Sequence, residues 1–179
     1  MNFHVPADRP LHKIVSVAET PEWLANDADW MIMRSMTLGQ ASHKGGLVMK
    51  LGYKALLDQA NAEIEAISPQ DAAVLLEDSG TIFVDLRDPR ELQREGKIPG
   101  ATHCPRGMLE FWIDPESPYH KPIFASSKTF IFYCASGWRS ALATKTAQDM
   151  GLAPVKHIEG GITAWKKADL PVEMPDKPA

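Results

Sequence analysis

Phe130-Ile-Phe-Tyr133 is an unbroken run of four bulky side chains that stops at Cys134, and Ala135-Ser-Gly-Trp-Arg139 then leads into a helical spacing of small residues. A strand carrying bulk on both faces can leave neither face in water, so it has to lie inside a sheet covered on both sides. Parallel sheets meet that condition, because their crossover helices supply the cover. Thr81-Ile-Phe-Val-Asp-Leu86 has the same character, and Val155-Lys-His-Ile158 is a shorter third run that ends at the turn Glu159-Gly-Gly161 before a helix bearing Trp165. From Ile64 onward the alternation of such runs with helical spacing predicts an α/β domain with a mainly parallel sheet.

Helix starts are written beside the strands. Ser68-Pro69 and Asp88-Pro89 each put a side-chain oxygen at an N-cap and a proline at the first helical position, where its missing N–H is no loss. Glu91 stands three residues after Asp88, the spacing of a capping box. Ala72, Ala73, Leu75 and Leu76 form one apolar helical face, and Ser140, Ala143, Ala147 and Met150 form another, small enough to lie close on a sheet. Tyr53, Leu56, Leu57, Ala60 and Ile64 predict a helix over residues 51–63. Before it, Trp23, Trp30, Met31, Met33 and Met36 follow no period. Residues 1–48 are therefore expected to be a loosely ordered extension, with Met49 a second translation start, 49–63 a helical lead, 64–173 the domain and 174–179 a tail.

Composition narrows the class. The 179 residues are 44% hydrophobic, enough for a full core without staples, and the formal net charge of −4 argues against a nucleic-acid partner. Two cysteines fit a reducing compartment better than a disulfide framework, so a cytoplasmic location is expected. No uncharged run is long enough to span a bilayer, so no membrane partner is expected. His4, His12, His43, His120 and His157 show no paired spacing with cysteine or carboxylate, so neither a metal nor another cofactor is expected.

The chemistry centres on Cys134. Strand, loop and helix in that order aim the first N–H groups of the helix at whatever lies above the sulfur, a field that favours thiolate over thiol and makes Cys134 a nucleophile. Ligand sites in open parallel sheets collect at the carboxyl ends of strands, which puts Asp85 and Arg87 on the same rim as Cys134. Those two residues have two readings, a structural ion pair or groups that orient a substrate. Arg139 adds positive charge and is expected to tie the loop down through a carboxylate.

Cys134-Ala-Ser-Gly-Trp-Arg139 resembles the active-site loop of rhodanese-type sulfurtransferases. Val84-Asp-Leu-Arg87 with Asp88-Pro-Arg-Glu91, Gly96-Lys-Ile-Pro-Gly-Ala-Thr-His103 and Gly160-Gly-Ile-Thr-Ala-Trp165 are similar to the other landmarks of that family, in its order. The resemblance implies a doubly wound parallel sheet of about five strands with helices on both faces. It also implies a sulfane sulfur passing from a donor, such as thiosulfate or a persulfide, through a Cys134 persulfide to a thiol, to cyanide or to a protein acceptor. In that picture the amides of Ala135, Ser136, Gly137 and Trp138 hold the outer sulfur, and Gly137 permits the turn. Many thiosulfate-using members carry a cation where Ala135 stands, so a less charged donor is expected here. Tyrosine-phosphatase-like enzymes use a loop one residue longer, sized for a tetrahedral phosphate, which makes hydrolysis the minor reading. A non-catalytic or redox-sensing module is the main alternative, disfavoured because inactive members generally lack the cysteine. Cys104 is read as a buried filler ahead of a partner for Cys134, and His103 as a structural hydrogen-bonding group. Phe111, Trp112 and Tyr119, around a proline-rich loop, either cover the pocket or pack at the domain edge.

Overall fold

A computed structural model of the chain describes residues 49–175. The expectations for residues 1–48, and for 176–179 of the tail, fall outside the described residues. Five strands, β1 (Glu65–Ile67), β2 (Thr81–Asp85), β3 (Thr102–His103), β4 (Thr129–Tyr133) and β5 (Val155–Ile158), form one sheet in the order β1-β5-β4-β2-β3. Every pairing is parallel. The helices are α1 (Tyr53–Glu63), α2 (Pro69–Ala73), α3 (Pro89–Glu95), α4 (Leu109–Ile113), α5 (Trp138–Asp149) and α6 (Gly161–Lys167).

The sheet is doubly wound, as the family resemblance implies. After β2 the chain moves outward to β3, and after β4 it moves the opposite way to β5, so the winding reverses between the adjacent strands β2 and β4. A crevice opens at the carboxyl ends of strands where such a reversal occurs. The register pairs Asp85 with Tyr133, so Cys134 comes one residue beyond Asp85 on that edge.

Alternation along β4 builds two cores. Phe130 and Phe132 join Val84, Leu109, Phe124, Ala143 and Ala147 on one side, while Ile131 and Tyr133 join Phe83, Ala72, Ile98, Ile162 and Trp165 on the other. Each fully buried side chain of this size is worth about 1.5–3 kcal/mol of transfer free energy, and the one buried polar group of the central strand, the Tyr133 hydroxyl, accepts from Ile98 N at 3.1 Å. The small residues of α5 let its backbone lie close to the sheet and bring its N-terminus over the end of β4.

The caps take their read positions. Ser68 Oγ accepts from Asp71 N at 3.1 Å, and the reciprocal Asp88/Glu91 box closes the start of α3. α1 begins two residues later than its periodicity suggests, because Gly52 is extended. α2 ends at Ala73, and Leu75 and Leu76 continue in tighter turns with bonds back to Ala72 and Ala73. β1 and β3 are edge strands of three and two residues, too short to leave a period in the sequence.

Candidate active site

Two helix starts meet at the loop after β4. Gly137, at φ 91°, turns the chain into α5, and the carbonyls of Cys134 and Ala135 accept from Ile162 N at 2.9 Å and Thr163 N at 3.1 Å. Gly161 has φ 57°, and a Cβ there would collide with the Cys134 carbonyl, so α6 can approach only through a glycine. In a trans peptide the N–H points opposite to the C=O. With the two carbonyls turned toward α6, the N–H groups of Ala135 and Ser136 face the other way. Among the described residues no acceptor takes the N–H of Ala135, Ser136, Gly137, Trp138, Arg139 or Ser140. Six consecutive donors without an acceptor, at the N-terminus of a 12-residue helix, suit an anion.

Cys134 lies beneath this loop at 1% exposure, in the same apolar cluster as Phe132 and Ala143. The thiol is recessed, because the loop closes over the end of a strand buried on both faces. Ser140 Oγ is 3.7 Å from Cys134 Sγ, 3.0 Å from the Gly137 carbonyl and 3.5 Å from His157 Nδ1. Ser140 and His157, both buried, are the polar groups that sequence reasoning missed; only their spacing in the folded chain reveals them.

Arg139 gives both arms of its guanidinium to Glu91, Nη1 to Oε2 and Nη2 to Oε1, each at 2.8 Å. The expected carboxylate is thus the capping residue of α3, which also accepts from Asp88 N at 3.0 Å. These bonds fix the loop to α3. The Arg139 guanidinium holds the Glu91 carboxyl down to about 2, against an ordinary 4.5, and Glu91 first, then nearby Cys134, raises Arg139. A carboxyl depressed on folding stabilises the fold above its unfolded pKa and loses that contribution as pH falls from about 4.5 toward 2. Glu91→Gln keeps the capping geometry and removes the charge. At pH 7 it is expected to lower stability by about 1 kcal/mol, discounted because Arg139 is partly exposed. Urea unfolding across pH checks this: the gap from the unmodified chain should narrow below about pH 4.5 and close only as pH falls to about 2.

Asp85 and Arg87 are fully buried. Arg87 Nε donates to Asp85 Oδ1 at 2.9 Å, and Nη2 donates to Asp85 Oδ2 at 2.6 Å and to the Gly96 carbonyl at 2.7 Å. His103 Nε2 lies 2.8 Å from the Arg87 carbonyl. Between the two readings of this pair, the geometry is that of an internal brace joining β2 to the loop at Gly96, with no surface that a substrate touches.

Cys104 is fully buried, and burial pushes its thiol up to about 12, which keeps it protonated and inert. Among the described residues no group of three or more His, Cys, Asp or Glu is arranged to hold a metal, and no helix is long and apolar enough to cross a membrane. Phe111 and Tyr119 are exposed, and Lys121 Nζ sits 5.2 Å from the Trp112 ring centre. Trp138 is 57% exposed, with its ring centre 5.5 Å from that of Tyr53. It stands at one wall of a cleft of about 400 Å³ between α1 and the loop, lined also by Leu57, Asn61, Ser136, His157 and Glu159.

Known proteins share this architecture. A protein of unknown function from Rhodopseudomonas palustris, described as a possible tyrosine phosphatase, is 57% identical over 73% of this chain and 100% of its own, with a TM-score of 0.70. The polysulfide-sulfur transferase homodimer of Wolinella succinogenes is 32% identical over 68% of this chain and 86% of its own, with a TM-score of 0.53. An uncharacterised Synechocystis protein is 34% identical over 59% of this chain, but the match spans only 54% of that protein. The model of the rhodanese-like domain matches residues 68–168, more than half of the chain and the whole span from the cap of α2 past Trp165, so this chain belongs to the rhodanese-like domain family.

Proposed function

We propose that the chain is a sulfurtransferase that carries one sulfur at a time on Cys134. The observation that supports this reading is the row of main-chain N–H groups from Ala135 to Ser140, without acceptors among the described residues, above a cysteine held at the end of β4. The Cys134 thiolate attacks the sulfane sulfur of a donor, the donor's S–S bond breaks, and its electron pair leaves with the donor. The outer sulfur of the resulting persulfide bears the negative charge, and the loop amides hold it. An acceptor thiolate then attacks that outer sulfur, and the pair of the broken S–S bond returns to Cys134. Because the cysteine itself is recessed, the acceptor meets the outer sulfur only.

Ala135 contributes no charge next to the cysteine, and both arms of Arg139 are engaged by Glu91, so a dianionic donor finds little unspent positive charge. A singly charged persulfide donor suits the site better than thiosulfate, and the resemblance to a polysulfide-sulfur transferase adds polysulfide as a candidate donor. The relative described as a possible tyrosine phosphatase makes phosphate-ester hydrolysis the second reading. Two features weigh against it: the four-residue spacing between Cys134 and Arg139, and an arginine fork that grips Glu91 where phosphate would need it. A redox-sensing module keeps the same cysteine but needs no second substrate.

Initial rates with donor and acceptor both varied separate these readings. Sulfur parked on the enzyme between two half-reactions gives parallel double-reciprocal lines. Intersecting lines, or no turnover with any sulfane donor, would contradict it.

A further inference from the structure

The cleft between α1 and the loop has its own chemistry. His157 comes from β5, is 6% exposed and lines the cleft, while its Nδ1 faces Ser140 Oγ at 3.5 Å. Its Nε2 has no hydrogen-bond partner among the described residues. Ser140 Oγ carries one proton and lies near three groups able to accept it: the Gly137 carbonyl at 3.0 Å, His157 Nδ1 at 3.5 Å and Cys134 Sγ at 3.7 Å. With sulfur ionised, a bare Nδ1 leaves too many acceptors for one hydrogen. With the proton on Nδ1 the imidazole donates to the hydroxyl, the hydroxyl proton is left for the Gly137 carbonyl and the sulfur alone, and Nε2 becomes a lone-pair base at the cleft wall.

We propose that this cleft receives the thiol that accepts the sulfur, and that His157 Nε2 takes the proton of that thiol as it attacks. The inference rests on the sulfurtransferase reading and assigns its second half-reaction. The S–H proton of the acceptor moves to Nε2, the acceptor sulfur bonds to the outer sulfur of the persulfide, and the pair of the broken S–S bond goes to Cys134. The products are a new persulfide anion, a Cys134 thiolate and an imidazolium. The charge gained by His157 strengthens the N–H···O–H···S chain at the moment when negative charge arrives on Cys134.

Ser136 and Gly137 belong both to the loop and to the cleft wall, so the cleft opens beside the place where the loop amides hold the outer sulfur. Round His157, α1 presents Leu57 and Asn61, β1 Ala66, β4 Phe132 and α5 Ser140 and Ala141. None of these is charged. Cys134 and Glu159 are the ionisable groups that bear on it. Burial lowers the His157 pKa and Glu159 opposes the shift, so the ring is a neutral base at pH 7.

The test separates the half-reactions. The protein is loaded from polysulfide, freed of excess donor, and discharged either to 2-mercaptoethanol or to sulfite, which at pH 8 has little proton to lose. His157→Gln and His157→Asn are compared with the unmodified enzyme; the Asn amide replaces the donor at Nδ1, the Gln amide reaches the Nε2 position, and neither is a base. Loading should change less than about threefold in His157→Asn, which keeps the Nδ1 donor, and in both variants discharge to the thiol at pH 7 should slow about a hundredfold, a usual contribution of a general base. Sulfite discharge should slow little, and the thiol defect should fade near pH 10, where the thiol supplies its own anion. Equal slowing for thiol and sulfite, or a defect unchanged at pH 10, would overturn the role of His157 while leaving the Cys134 persulfide standing. Failure of the unmodified enzyme to load at all would overturn both.

Discussion

Cys134→Ser is expected to end sulfur transfer, with turnover on any sulfane donor at least about a thousandfold down, the scale of losing a covalent nucleophile. A serine hydroxyl stays protonated near neutral pH and forms no persulfide. The change is nearly isosteric, and the new hydroxyl has Ser140 within reach, so stability should shift by about 1 kcal/mol or less. Cys104→Ser is the control. That thiol is buried and pushed up to about 12, so activity should survive its removal. Loss of activity in both variants would point to a disulfide relay in place of a single sulfur carrier.

Asp85→Ala should unfold much of the population or come close to it. It leaves the Arg87 guanidinium fully buried with its principal counter-charge gone, and such a break costs about 3–5 kcal/mol. An ordinary domain has only about 5–15 kcal/mol in all. Urea denaturation measures the loss, and a change under about 1 kcal/mol would show that Arg87 does not depend on this carboxylate. Replacing both partners, Asp85→Leu with Arg87→Met, should recover much of the stability, since a buried pair exchanged for apolar groups of similar size is often neutral. Recovery would mark the pair as an internal brace; loss of turnover in a stable double variant would return it to the catalytic rim.

The legible parts of this fold are those where one short segment carries the whole signal. β2, β4 and β5 declare themselves by apolar side chains on both faces, and α2 and α3 by a capping oxygen followed by proline, because each cause is local. β1 and β3 escaped because edge strands of three and two residues carry no period and have polar neighbours. The loop around Cys134 was readable as strand, turn and helix, and its glycine does sit at positive φ. Three features of the site were not. Glu91 and Arg139 are 48 residues apart, so Glu91 could be read only as a cap. Ser140 appeared as one small residue of a helix face, and His157 as an unpaired histidine; the sheet order, with β5 beside β4, brings them together. The recess of Cys134 follows from α6 docking on the loop through Gly161, a long-range contact that spacing along the chain does not encode.

Intact-protein mass after incubation with polysulfide, followed by peptide mapping, tests most directly whether the loop amides hold a sulfur anion on Cys134. The account predicts a gain of one sulfur atom per chain, located on the peptide containing Cys134 and released by cyanide. No gain with any sulfane donor, or a sulfur found on Cys104, would contradict it.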